Sequence, residues 1–205
     1  MTQLGVAPGD TFTYDFIVPR AGSFWYPPHV RGTQEVFSGL YGALVVTSRE
    51  ERDLVRNHVL PRPQATLVLS DIGVVDGQVR DLEQPLTSLE TINGTEGEVL
   101  LVNGRELPTL KVQKETGIRL RLINTSVARY YRLSVPGHDL VRFGGEGGLL
   151  DAARVEGGMR HIHGHGMAMD MPHENVYVRC RLWRGQRLGL LDLHVDARRD
   201  DEDVW

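Results

Sequence analysis

Residues 159–165 read Met-Arg-His-Ile-His-Gly-His, so His161, His163 and His165 recur at every second position. Side chains of an extended chain alternate between faces, so the three imidazoles would share one face and could reach one metal ion. Met167, Met169 and Met171 continue the alternation. Their thioethers are soft donors suited to Cu(I), although a methionine stripe at this spacing also fits the core of a strand. The competing reading of the histidines is a solvated tract that takes up metal adventitiously. His58, His173 and His194 have no ligand spacing, and His138, in Pro136-Gly-His-Asp139, reads as a turn residue. The single Cys180 excludes an internal disulfide framework and a multi-cysteine zinc cage, so any bound copper or zinc must rely on histidine. Other chemistries find little support. Asp139, Glu146 and Asp151 are separated by glycines and form no acid/base dyad, no glycine-rich phosphate loop follows a strand, and Ser70 and Ser134 lack a nucleophile-elbow context.

The elements that must position these residues are strands. The 205 residues are 40% hydrophobic and 24% charged, enough for a buried core, and 23 Gly and 10 Pro punctuate short runs rich in Val, Leu, Ile, Tyr and Phe. Phe12, Tyr14, Phe16 and Val18 alternate, as do Tyr41, Ala43 and Val45, which predicts two strands joined through residues 21–42. Further strands are expected at 65–70, 98–102 before an Asn103-Gly104 turn, 118–124, 130–135 and 140–143. Two more, 176–182 and 188–195, flank Arg184-Gly185-Gln186 and read as a closing hairpin. One short helix is expected at about 50–57 in a charged stretch ending Pro-Arg-Pro. The fold class is therefore all-β, and strand spacings of roughly 10 to 20 residues suit a Greek-key β-sandwich. No apolar run approaches the ~18 residues of a membrane span, and a net charge of -4 offers no footprint for nucleic acid. The first ten residues lack the basic and apolar regions of a signal peptide.

Three stretches together, Val6 to Phe16, Ala21-Gly-Ser-Phe-Trp-Tyr-Pro-Pro-His29 and Ser38-Gly-Leu-Tyr-Gly-Ala-Leu-Val-Val46, closely resemble the end of the first cupredoxin domain of a multicopper oxidase. Residues 65–71, Leu100-Leu-Val-Asn-Gly104, Arg119 to Thr125, Tyr131-Arg-Leu133 and Pro136 to Asp139 resemble the second domain of the same proteins. The resemblance covers about residues 3 to 153. It implies cupredoxin-like sandwiches, copper as cofactor, and a small reducing substrate that gives up electrons singly at a type-1 copper for delivery to a three-copper cluster that reduces dioxygen.

The departures from that text bear on the chemistry. The family's His-x-His pair works because residues i and i+2 of a strand face one cluster, but its first position here is Pro27, whose ring has no lone pair for a metal. His29 is left as the one matching ligand. The His161 to His165 stretch resembles the His-x-His-Gly-His of the family's last domain, with Gly158 where that family has its preceding type-1 histidine. Cys180 has its next histidine fourteen residues on and no methionine after it, so it reads as a buried strand residue and the type-1 motif is missing. The chain also opens past the family's earlier His-x-His, so its first strands are expected to pair with the second unit, another chain or a partner.

These readings give a division into 1–48 (the end of a first cupredoxin domain), 49–64 (a linker), 65–196 (a second cupredoxin-like domain, whose residues 156–196 either complete it or form an appendage) and a charged tail at 197–205. The expected metal ligands are His29, His161, His163 and His165. The expected function is that of a copper-binding, multicopper-oxidase-like oxidoreductase, incomplete as an isolated chain and completed by a second copy or another chain. The alternatives are a non-catalytic cupredoxin-like binding or assembly module and a truncated gene product.

Overall fold

The computed structural model describes residues 5–82, 86–88, 90, 94–106, 109–113, 117–129, 131–135, 138–145, 147–156, 159–162, 174–179, 188–191 and 194–196, with side chains up to residue 154 apart from 111–113, 132 and 134. Strands β1 (Gly22–Tyr26) and β2 (Gly42–Val46) pair antiparallel, with helix α1 (Gly32–Phe37) between them and helix α2 (Arg49–Arg56) after them. There follow β3 (Gln64–Ile72), β4 (Val74–Val75), β5 (Gln78–Val79), β6 (Val99–Val102), β7 (Leu110–Gln113) and β8 (Ile118–Asn124). The remaining strands are β9 (Tyr131–Ser134), β10 (Asp139–Gly145), β11 (Gly148–Glu156), β12 (Met159–Ile162), β13 (Glu174–Arg179), β14 (Leu188–Leu191) and β15 (His194–Asp196).

The main sheet has the order β11-β10-β13-β8-β3-β6, and smaller sheets β12-β9-β15 and β14-β7 accompany it. Strands β3 and β8 run parallel, and the other pairings in the main sheet are antiparallel. Alternation explains the core. Leu67 and Leu69 of β3 and Ile118, Leu120 and Leu122 of β8 cluster with Val102, Leu140 and, from β9, Tyr131 and Leu133. Burying each such side chain contributes roughly 1.5–3 kcal/mol, which fixes the register, since a one-residue slip would turn the whole set outward.

Strand β8 is buried along its entire length, so its second face is covered as well. That face carries Arg119 and Arg121, and what lies over it is α2 and β1. Ser48 caps α2 by accepting from the Glu51 N–H at 2.9 Å. The Ser-x-x-Glu spacing is that of a capping box, in which the glutamate would turn back to the cap. Here the Glu51 carboxylate instead accepts from Arg119 and from Arg121, the latter at 2.5 Å. Arg121 also donates to Ser23 of β1 at 3.2 Å. One carboxylate thus holds the segment after β2 to the centre of the main sheet.

Turn chemistry closes the edges. Asn103 and Gly104 both have positive φ, 52° and 72°, as an Asn-Gly reversal requires. The Asn103 amide then accepts from Val68 N–H at 2.9 Å and donates to Thr66 C=O at 3.0 Å, so it pairs with the edge of β3. At the end of β3, Asp71 accepts from Gly97 N–H at 2.7 Å and from Arg129 at 2.9 Å.

The structure bears out the all-β class, the helix after residue 48 and the strands expected between 65 and 143, corrects two expectations and adds a strand. Residues 11–18 form no strand. Their alternation is real, and the rings of Phe12 and Tyr14 meet edge to face at 4.8 Å, but the partner of β2 is β1, inside the stretch read as a connection. The closing hairpin is also absent: β13 lies between β8 and β10, whereas β14 pairs with β7 and β15 with β9. Finally, the glycine-rich stretch after Phe143 builds β11, an antiparallel partner of β10. Cys180, His173 and the tail from 197 lie outside the described residues.

Candidate metal centre

The loop that carries His29 is set by β1 before it and α1 after it. Trp25 and Tyr26 stand opposite Ala43 and Gly42 of β2, and the Tyr26 ring lies across Gly42 so closely that a Cβ there would fall 2.1 Å from its hydroxyl oxygen. A Cβ there would push the exposed Tyr26 ring aside. Pro27 and Pro28 then end the ladder, since neither has an N–H to donate. Arg31, with φ of 47°, turns the chain into α1, whose Phe37 is 1% exposed. Gln34 ties the helix to a distant loop by accepting from Leu82 N–H at 2.5 Å.

His29 itself is exposed on this loop. Copper in protein sites is held by converging imidazole, thiolate or thioether donors. Pro27 supplies none, and among the described residues no three His, Cys, Asp or Glu side chains converge as a metal-binding group. The described side chains therefore do not by themselves assemble a copper site. His161 lies on β12, its Cα opposite that of Arg132 on β9, while His163 and His165 lie outside the described residues. His138 donates its backbone N–H to Val135 C=O at 3.0 Å, as a turn residue does.

Two buried charge clusters escaped the reading of the sequence. In the first, Glu51, Arg119 and Arg121 are 4%, 6% and 1% exposed. Burial lowers the Arg119 pKa, the Glu51 charge opposes that shift, and the Arg121 charge adds to it. In the second, Arg129 bridges Asp71 at 2.9 Å, Glu96 at 3.1 Å and Gly97 C=O at 2.7 Å. Burial and the neighbouring Asp71 charge push the Tyr131 phenol well above the ordinary tyrosine range, against its hydrogen bond with Ser126 at 2.6 Å. The Arg-x-Arg repeat on β8 was the one available signal, and on a strand it would ordinarily mean a solvated face.

Both clusters are architectural. They hold β1, α2 and the β3 terminus to the main sheet, which is the frame on which the His29 loop is mounted. Among the described residues, no helix is long and apolar enough to cross a membrane.

Comparison with known proteins supplies the context this frame belongs to. Residues 1–51 match one multicopper oxidase domain model and residues 70–156 match another. The chain is 29% identical over 153 residues to a multicopper oxidase of Staphylococcus aureus, covering 73% of this chain and 32% of that protein. It is 32% identical over 143 residues to a laccase of Bacillus subtilis, covering 64% of this chain and 27% of that one. The structure of a multi-copper oxidase from Pseudomonas thermotolerans superposes with a TM-score of 0.72 at 28% identity, covering 93% of this chain and 43% of that chain. The chain thus spans under a third of the two curated relatives' lengths. The sandwich is cupredoxin-like, and the stretch around β1 and β2 falls inside the first matched domain and the stretch from the end of β3 through β11 inside the second, so the chain belongs to the multicopper oxidase family, whose cofactor is copper.

Proposed function

We infer that this chain is one portion of a copper-dependent oxidase that couples oxidation of a small reducing substrate to reduction of dioxygen. The observation that carries this reading is the pair of consecutive multicopper oxidase matches laid on a fold shared with a solved multi-copper oxidase over nearly the whole chain. Its copper ligands are His161, His163 and His165, with His29 as a fourth imidazole. A further set of donors comes from a second copy or another chain, because Pro27 removes half of the pair at the His29 loop. The domain division at 48 and 65 belongs to the same reading: α2 is the linker, and Glu51 is the clamp that holds it to the second unit.

The test is copper content per chain after reconstitution, with the visible spectrum, for the chain and for a variant in which His161, His163 and His165 are all alanine. Copper retained by the parent and lost by the variant supports the reading. Equal copper in both places the ligands elsewhere. An intense band of the Cu(II)-thiolate type would show Cys180 to be a ligand and the type-1 site to be present after all. The exposure of His29 and the Pro27 substitution favour a second reading, a non-catalytic cupredoxin-like module, for which no copper would be retained by either protein.

A further inference from the structure

Beside α2 and the chain reversal that follows it lies a cleft of about 370 Å³ lined by Arg52, Val55, Arg56, His58 and Arg62. Four of the five are basic or titratable toward positive charge, in a chain whose net charge is -4. We propose that this cleft is a binding site for a phosphate-type oxyanion, either a free polyphosphate or the phosphate group of a small organic ester.

The site is built by the backbone as well as by its charges. Arg52, Val55 and Arg56 are spaced i, i+3, i+4 on α2 and share one face. After the helix, His58 takes a left-handed conformation with φ of 58° and donates its N–H to Val55 C=O at 3.2 Å. Val59 and Leu60 both donate back to Leu54 C=O, at 2.9 and 3.2 Å, so the chain reverses over the helix end. Leu60 is 5% exposed and anchors the reversal, and Arg119 donates to Pro61 C=O at 2.7 Å from beneath. Arg62 is the next residue. The buried arginine that holds the linker therefore also fixes the backbone beside the outermost guanidinium of the cleft.

Each guanidinium offers five donors in a planar fork that matches a phosphate or carboxylate edge. Phosphate is favoured because three forks on two segments can grip three or more oxygens at once, whereas one carboxylate has two. Arg56 now pairs with Asp53 at 2.7 Å, and Arg52 donates to Thr47 C=O at 2.8 Å. Both contacts use one terminal nitrogen, so an incoming oxyanion competes with Asp53 for Arg56 and finds donors remaining on Arg52. The volume is near the lower end of small-molecule pockets, which sets the ligand at a few heavy atoms beyond the phosphate.

The test is calorimetric titration of the chain with inorganic pyrophosphate and with phenyl phosphate, first at low ionic strength and then at stepped chloride concentrations. Pyrophosphate also chelates copper, so the phenyl phosphate arm reports on the cleft apart from the copper reading. The expected result is saturable binding of one phenyl phosphate per chain that weakens as salt is added. It should fall at least about tenfold in a double variant, Arg56→Gln with Arg62→Gln, since each charge-assisted hydrogen bond contributes more than a neutral one. Both side chains are exposed, so the variant should keep the parent's circular dichroism and melting temperature, and Arg105→Gln, at the β6 turn, should bind as the parent does. Absence of saturable binding, or equal affinity in the double variant, would overturn the proposal. Tighter binding of phenyl phosphate than of pyrophosphate would assign the site to an ester with an apolar group against Val55, and the reverse order to a free polyphosphate.

Discussion

Glu51 shows how one side chain can be misread from its neighbours and still be decisive. Its place three residues after Ser48 suggests a local capping role, yet its partners are 68 and 70 residues away on β8. Replacing it with glutamine leaves two guanidiniums buried side by side without their counter-charge, and breaking a buried pair in this way costs about 3–5 kcal/mol. Glu51→Gln should lower the urea midpoint accordingly, while Glu50→Gln, exposed on the first turn of α2, should change it little. A loss under about 1 kcal/mol for Glu51→Gln would mean that solvent reaches the cluster. Glu90 gives a prediction of the opposite kind. Its hydrogen bond with Arg80, at 2.6 Å, and those with Thr87 hold its pKa down to about 2. A depressed carboxylate stabilises the fold while it is ionised. The contribution is therefore complete above the ordinary glutamate value of about 4.3 and is lost as pH falls toward about 2. The melting temperature of Glu90→Gln should trail the parent's at neutral pH, and the gap should narrow through that acid window. A gap that stays constant with pH would remove the ionic explanation.

At the scale of elements, strand existence was legible wherever one face of the strand was apolar and the turn residues were distinctive, as in β3, β6 and β8 with the Asn103-Gly104 reversal. Pairing was less legible, because periodicity says that a segment is extended and not what lies beside it. Residues 11–18 have the alternation without a ladder, and β14 and β15 pair with β7 and β9 rather than with β13. The proposed metal ligands were legible only as spacing: His161, His163 and His165 share a face if extended, and His29 was picked out by the residues around it, not by any property of its own. The buried charges showed only as the Arg-x-Arg repeat of β8, which reads as a solvated face because the sequence does not show that α2 covers it. Glycine requirements follow the same logic. A Cβ on Gly97 would lie 2.2 Å from the Ile72 carbonyl carbon, with backbone on every near side, whereas one on Gly104 would meet nothing. Gly104→Ala pays only for its positive φ, about 1 kcal/mol. Gly97→Ala must push β3 away from Asp71's partners and should cost clearly more in chemical denaturation. Equal losses would show that the Gly97 loop yields freely.

For the molecule as a whole, the question is which part of the first 47 residues the fold depends on. Residues 5–20 lie outside any strand, and Tyr14, Phe16 and Ile17 are 68%, 62% and 93% exposed. Contiguous apolar surface of this kind favours association. The stretch from Ala21 is different: Ser23 is 0% exposed and meets Arg121, and the Ala21 carbonyl lies close over Gly148. Deleting residues 1–20 should therefore shift the melting temperature by no more than about 4 °C, the equivalent of roughly 1 kcal/mol for a chain of this size, and should reduce self-association in sedimentation. Deleting residues 1–47 strips β1, together with its partner β2, from the charged face of β8, while the Glu51 clamp on α2 stays in the chain. Arg121 then loses its Ser23 partner and its cover together. That truncation should melt about 10 °C or more below the parent, or fail to stay soluble. If the two truncations behave alike and both resemble the parent, the β1–β2 pair is an appendage and the Glu51 cluster holds the second unit without it.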